Sequence, residues 1–399
     1  MSRNLCFLKR VRFGALLLTF LFVAPIHTFS SSWIKLTPTG GLPPARFGHT
    51  SVYDPASNRL ILFGGCSNVP GTCNTFGRGV TLNDVWVLSN ANGLGETPTW
   101  TQLTPTGGPP PARFLHVAVY DQVNNRMIIW GGDSTFGSLP DLTDVWVLTN
   151  ANGLDRATGL PATPNWIQLF PTGGPPTSGV SFPGREGSTG VYDSTTNRMI
   201  VFGGDACDPC TVKNDVWVLT NVNGLGGAPQ WMQLFPTGGP PAPRGGHSAV
   251  DDAAGNRMVI FGGSTSVYSS ETWVLANATG LDRTGNPVTP VWTQLAPSGA
   301  LPPGRSAHTA AYDAATNRMV IFAGTTATSF LNDVWLLDNA NGTEPVCLHG
   351  VRFFRPERLQ SHGTCSLAMI CMMEHRTGCL SSEDWAVLRP PLPSMTLGC

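Results

Sequence analysis

Charge is scarce in this 399-residue chain: Asp, Glu, Lys and Arg make up 12% of it, and the net charge is -1. A balance that thin excludes the basic stripe with which proteins hold nucleic acid or an anionic membrane surface. Hydrophobic periodicity of 3.6 residues is absent throughout, which excludes a helical bundle. Long apolar runs are missing as well. The one near the N-terminus, Phe13 to Ala24, falls short of the ~20 residues a spanning helix needs. What the chain has in quantity is turn-forming residue, with 46 Gly and 34 Pro. Hydrophobic segments interrupt these regularly, so they read as punctuation between many short strands rather than low-complexity filler.

The first 30 residues differ from the rest. Arg3, Lys9, Arg10 and Arg12 precede the apolar run, and Thr28, Ser30, Ser31 and Ser32 follow it. That is the layout of a secretory signal, with an uncleaved N-terminal anchor as the alternative. The expectation is a secreted or periplasmic protein without a membrane span after cleavage.

From Trp33 onward one pattern is written five times. Its first tryptophans are Trp33, Trp100, Trp166, Trp231 and Trp292, spaced roughly 61–67 residues apart. Length alone would allow two or three domains, but a repeat of this kind makes one array. In the first unit His49–Asp54 reads as a strand, Asp54-Pro-Ala-Ser-Asn58 as a turn and Arg59–Phe63 as the returning strand, ending at Gly64-Gly65. Asn83–Leu88 is the third strand and Trp100–Leu103 the fourth. The second strands, such as Met199-Ile-Val-Phe202, are apolar on both faces and need cover on both sides. Radial stacking of four-stranded antiparallel blades supplies it, so the expected fold is an all-β propeller.

Four units hold all four strands. The fifth holds three and then loses the pattern at Cys347, while Trp33-Ile34-Lys35-Leu36 is a fourth-type strand with no blade of its own. Pairing the two gives five blades over residues 31–345, closed by the N-terminal strand. Residues 346–399 carry five of the ten cysteines and none of the repeat signatures. They read either as a Cys-rich tail or as the product of a reading-frame shift. Translating the other two frames decides, since a further repeat there is what the shift requires.

The Gly-Gly pairs, the Asp-Val-Trp strand, the Trp-x-x-Leu strand and the Pro-x-x-Arg-x-x-His approach together resemble the kelch-repeat family, over residues 33 to about 343. The resemblance implies a propeller used for binding and, in some members, catalysis. Kelch-like copper radical oxidases need redox tyrosines. This chain has five, of which Tyr53, Tyr120, Tyr192 and Tyr312 share one repeat position and only Tyr268 stands in a loop. A sugar-epimerase-like activity is the remaining enzymatic alternative, and no lone Glu/Arg/His constellation marks it.

Residues that recur once per unit read as architecture. These are Arg46, Arg113, Arg185, Arg244 and Arg305; Trp86, Trp146, Trp217, Trp273 and Trp335; and the histidines at 49, 116, 247 and 308. The recurrent acids Asp84, Asp144, Asp215, Glu271 and Asp333 read as acceptors for backbone donors in adjacent turns. Function is expected in the unequal loops. The candidates there are Phe76, Asp133, Phe136, Asp141, Asp205, Asp208, Tyr268 and Phe330, with local disulfides Cys66–Cys73 and Cys207–Cys210 for an exported chain. The sequence reading is therefore a monomeric binding or scaffold module for a protein or glycan. No cofactor, metal or catalytic residue is expected.

Overall fold

The computed structural model describes residues 35–67, 80–134, 141–174, 184–206 and 211–343. It is a five-bladed β-propeller, nearly all β. Blade 1 comprises Thr50–Asp54, Arg59–Ser67, Val80–Ser89 and Thr99–Leu103, and blade 2 comprises Val117–Asp121, Arg126–Trp130, Val145–Thr149 and Asn165–Leu169. Blade 3 comprises Thr189–Asp193, Arg198–Phe202, Val216–Thr220 and Gln230–Leu234, and blade 4 Ser248–Asp252, Arg257–Phe261, Thr272–Ala276 and Val291–Gln294. Blade 5 has three strands among the described residues, Thr309–Asp313, Arg318–Phe322 and Val334–Asp338. Within each blade, successive strands pair antiparallel in the same register. First strands of consecutive blades are neighbours and so lie innermost.

Of the closing strand predicted from sequence, Trp33 and Ile34 lie outside the described residues, and Lys35 and Leu36 belong to no strand. The signal-like segment and the Cys-rich tail lie outside them too. No helix among the described residues is long and apolar enough to cross a membrane.

The two apolar faces of each second strand have different neighbours, as its composition requires. Ile61, Phe63, Val85 and Val87 of blade 1 pack on Met127, Ile129, Leu148 and Trp166 of blade 2. The alternate residues of blade 2, Ile128, Trp130, Val145 and Val147, pack on Met199, Leu219 and Trp231 of blade 3. The scheme repeats at the next two junctions. Each such side chain contributes about 1.5–3 kcal/mol by leaving water.

Asparagine and glycine set the connections. Asn58, Asn125, Asn197, Asn256 and Asn317 turn the first strand into the second at φ of 51–52°. Asn tolerates this left-handed region because its short amide bonds locally. At the other end of the second strand, Gly131 is approached by the Arg185 carbonyl of the following blade, which would lie 2.6 Å from any Cβ placed there. Blade 5 has Ala323 at that position, also at positive φ.

Three junctions are also clasped by an asparagine at the Asp-turn end. Asn152 donates to Asp54 at 2.7 Å, Asn223 to Asp121 at 2.8 Å and Asn341 to Asp252 at 2.8 Å, each reaching back one blade. Blade 4 carries Thr279 in place of this asparagine, and no side-chain clasp to Asp193 is formed among the described residues. Arg59, Arg126, Arg198 and Arg257 tie the same turns through backbone carbonyls at the four junctions from blade 1 to blade 5, whereas Arg318 of blade 5 bonds Asp338 of its own blade.

The mouth of the propeller as candidate functional site

At the opposite end of the blades, the segment entering each first strand meets the residues that follow the Gly-Gly pair. Arg46-Phe47 pairs with Cys66-Ser67, and bridges join Phe114 to Asp133, Glu186 to Asp205, Gly245 to Ser264 and Ser306 to Thr325. A chain of backbone bonds runs round this mouth: Leu115 N donates to Gly48 O, Gly187 N to Leu115 O, Gly246 N to Gly187 O and Ala307 N to Gly246 O. All five residues sit at φ of 53–64°. The mouth is thus a rigid rim on which loops are mounted.

The recurrent arginines build that rim. Arg113 is fully buried, forks onto both oxygens of Asp144 at 2.8 Å and bonds the Gly131 carbonyl at 3.0 Å. Arg46, Arg185 and Arg305 do the same with Asp84, Asp215 and Asp333, while Arg244 bonds Glu271 through one oxygen. The indoles of Trp86, Trp146, Trp217, Trp273 and Trp335 each donate to the acid two residues earlier. These acids therefore receive side-chain donors rather than serving the turn backbone expected of them. An ionised fork is the stronger partner and compensates the charge where burial is costly. Hydrogen bonding from Arg305, against the pull of burial, holds the Asp333 carboxyl down at about 2.

The histidines cross between blades. His116 Nε2 meets Thr50 Oγ1 at 2.6 Å, His247 meets Thr189 at 2.6 Å and His308 meets Ser248 at 2.8 Å. Each ring also lies edge-on to the aromatic ending the previous blade's second strand, Phe63, Phe202 or Phe261. Burial, then the neighbouring arginine, lowers His247 to about 3 and His308 to about 4, so both are neutral and serve as rim residues.

Against this regular frame the loops differ. Asp133 and Asp141 from blade 2 and Glu186 from the entry to blade 3 bring carboxylate oxygens within 4.8 Å of one another. Asp133 and Asp141 are buried, Glu186 half-buried. Burial first, then the charges of Asp141, Asp133 and Asp205, pushes the Glu186 carboxyl up to about 7. Burial raises Asp205 as well. Three hard oxygen donors on one spot can share a proton, attract a basic side chain or accept an oxygen-liking cation.

Of the acids the sequence singled out, Asp133 and Asp141 are brought together by the structure and Asp205 is bridged to the third member, Glu186, which escaped notice. Its signal was a double departure: the third unit reads Arg185-Glu-Gly-Ser188 where other units end in His. Tyr268 is half-buried in the blade 4 loop and Phe330 stands 92% exposed in the blade 5 loop, neither beside the acids. Phe76, Phe136, Asp208, Cys73, Cys207 and Cys210 lie outside the described residues. Cys66 is buried against Phe114 and is not a free thiol.

Comparison with known proteins gives one family match. The KLHDC2/KLHL20/DRC7 Kelch-repeats domain matches residues 20–173 and 172–280. Among curated proteins, the leucine-zipper-like transcriptional regulator 1 homolog of Drosophila melanogaster is 34% identical over 45% of this chain and 16% of its own length. The host cell factor homolog hcf-1 of Caenorhabditis elegans is 28% identical over 76% of this chain and 37% of its own. Kelch domain-containing protein 2 of Bos taurus is 25% identical over 73% and 66%. The chain thus spans between 16% and 66% of the length of these relatives.

Proposed function

Because the chain belongs to the kelch-repeat β-propeller family, we propose that it is a protein-interaction scaffold, exported from the cell, which presents the unequal loops of its mouth to a partner. One observation carries this reading. Five blades share nearly the same rim, yet among the described residues only the junction of blades 2 and 3 adds to it the close carboxyl group of Asp133, Asp141 and Glu186, with Asp205 bridged to Glu186. A rim of backbone bonds and buried Arg–acid forks is rigid, so a partner meets a preorganised surface and little ordering cost. Concentrated negative charge beside it favours a partner segment bearing Lys or Arg. Exposed Phe330 and half-buried Tyr268 supply aromatic contact elsewhere on the same end.

Export is supported by the basic-then-apolar N-terminus, and an oxidising compartment accommodates Cys66–Cys73 and Cys207–Cys210 as local disulfides. The test is capture by the immobilised chain from an exported fraction, beside a D141N/E186Q/D205N variant and a glycan array. Retention of a defined basic protein that the variant loses, and that salt weakens, supports the reading. Retention of glycans in its place, or turnover of a sugar without retention, overturns it.

A further inference from the structure

Blade 4 departs from the others in its own part of the rim. Elsewhere the rim acid is an aspartate, and the residue two before it is Leu82, Leu142, Lys213 or Leu331. Blade 4 has Glu271 and Ser269 at these places. The backbone shows the equivalence. Leu142, Lys213, Ser269 and Leu331 each donate their N–H to the carbonyl of Gly132, Gly204, Gly263 or Gly324 in their own blade.

Both changes act on the fork. Arg244 Nη1 bonds the Ser269 hydroxyl at 3.2 Å, where its counterparts reach the second oxygen of the acid. Its Nη2 bonds Glu271 Oε2 at 2.6 Å, and Trp273 donates to that same oxygen. Glu271 Oε1 is thereby left out of the fork. The longer side chain is 40% exposed, against 16–35% for the four aspartates. Against burial, which raises it, hydrogen bonds from Arg244 and Trp273 hold the Glu271 carboxyl below its ordinary range, so it is charged at neutral pH.

Ser269 lines a cavity of about 350 Å³ together with Glu271, Ser264, Thr265, Val267 and Tyr268. Glu271 brings charge to it, the serines and threonine bring hydroxyl acceptors, and Val267 and Tyr268 bring apolar and aromatic surface. The loop that forms this wall is fixed by its backbone: Ser264 bridges to Gly245 and Tyr268, and Thr265 N donates to Val267 O. An alkyl stem ending in a planar cation suits all of these surfaces, since a guanidinium donates in several directions and stacks on an aromatic ring. An ammonium is a point charge without that plane. Arg244 does not exclude a second guanidinium, because its own charge is taken up by Glu271 Oε2 and the Gly262 carbonyl. A carboxylate has about four lone-pair sites and can serve two such groups.

We propose that this cavity is an anchor pocket for an arginine side chain of the binding partner. The proposal rests on the basic partner inferred above and adds a contact in blade 4 to those of blades 2 and 3.

The probe is the capped tripeptide acetyl-Gly-Arg-Gly-amide, titrated against the full chain by saturation-transfer NMR. Its citrulline counterpart keeps the shape and loses the charge. The arginine form is expected to bind saturably and at least about tenfold more tightly than the citrulline form. An S269L/E271D variant gives blade 4 the pair that blades 1, 2 and 5 carry. It is expected to melt no lower than the unsubstituted chain and to bind the tripeptide at least about tenfold more weakly. The D141N/E186Q/D205N variant is expected to keep the tripeptide, so failure of the pocket and failure of the basic-partner reading show in different chains. Equal binding of the two tripeptides, undiminished binding by S269L/E271D, or no binding at all overturns the proposal. Loss of the tripeptide with capture of the partner unchanged overturns it too, because the pocket then takes a free guanidine. Should the double variant not fold, Tyr268→Ala takes its place, with a loss of at least about threefold expected and an unchanged affinity refuting the pocket.

Discussion

The two ends of the blades use the same repeat for opposite purposes. At the Asp-turn end, four junctions carry nearly the same Asn, Asp and Arg residues, and all of them hold one blade to the next. At the mouth, the Arg–acid forks are just as regular, but the residues mounted on them change from blade to blade. A repeat that binds one partner at one place must be uniform where it packs and uneven where it binds. The comparison also isolates blade 4, which breaks the uniform end twice, with Asp251 at the tyrosine position and Thr279 at the clasp asparagine.

The largest effect is expected from the rim. Arg113→Ala leaves Asp144 and the Gly131 carbonyl without their cation in a buried place, and breaking such a pair costs about 3–5 kcal/mol. Denaturant unfolding followed by tryptophan fluorescence measures it. A loss under 1 kcal/mol would mean that the forks are ornament on a rim held by its backbone alone.

Next comes the clasp. Asn223→Ala removes bonds to Asp121, Asn197 and the Leu225 amide, an expected loss of about 2 kcal/mol. Thr279→Ala at the odd junction has only weak contacts with Leu281 to lose and is expected to cost less than half as much. Equal losses would erase the distinction between the junctions.

How much of this was legible beforehand follows the same division. Blade number, strand order and the Asn turns could be read because packing repeats, and each repeat corroborates the others. The Arg–acid forks were half legible: recurrence marked both partners as architectural, but thirty residues of separation concealed that they meet. Glu186 was legible only as a departure from the repeat, with nothing to say what it meets. A charge that occurs once in an array has no second copy to flag it, and only the fold brings it to Asp133 and Asp141. The clasp asparagines looked like turn residues because their reach across to the previous blade is a matter of stacking, which no local pattern contains.

Asp251 sharpens the comparison through pH. Burial first, then the charges of Asp193 and Asp252, pushes its carboxyl up to about 7. A raised carboxyl is favoured in the folded state while protonated, so its penalty is absent at acid pH. The penalty grows as pH rises from the ordinary carboxylate range, near 4, and is complete once pH has passed 7. Asp251→Asn is expected to leave stability unchanged below about pH 4 and to raise it by about 2 kcal/mol at pH 8, allowing for solvent screening. Melting temperature across that range is the measurement. A gain already present at pH 4 would place its cause elsewhere than in the charge.

The smallest effect on stability and the largest on recognition should coincide at Glu186. Glu186→Gln removes a carboxyl crowded by Asp133, Asp141 and Asp205, so it relieves repulsion, and stability above pH 7 should rise slightly or not change. If the acids serve only the frame, as the clasp residues do, capture of a basic partner should be indifferent to the change. If the mouth is where the array departs from uniformity in order to bind, the same substitution should weaken capture severalfold, chiefly through a slower association that added salt also reproduces. Titrating salt against both chains on one sensor surface separates the two. Convergence of the curves at high salt identifies charge as what the uneven end contributes, and a constant gap between them assigns the loss to shape.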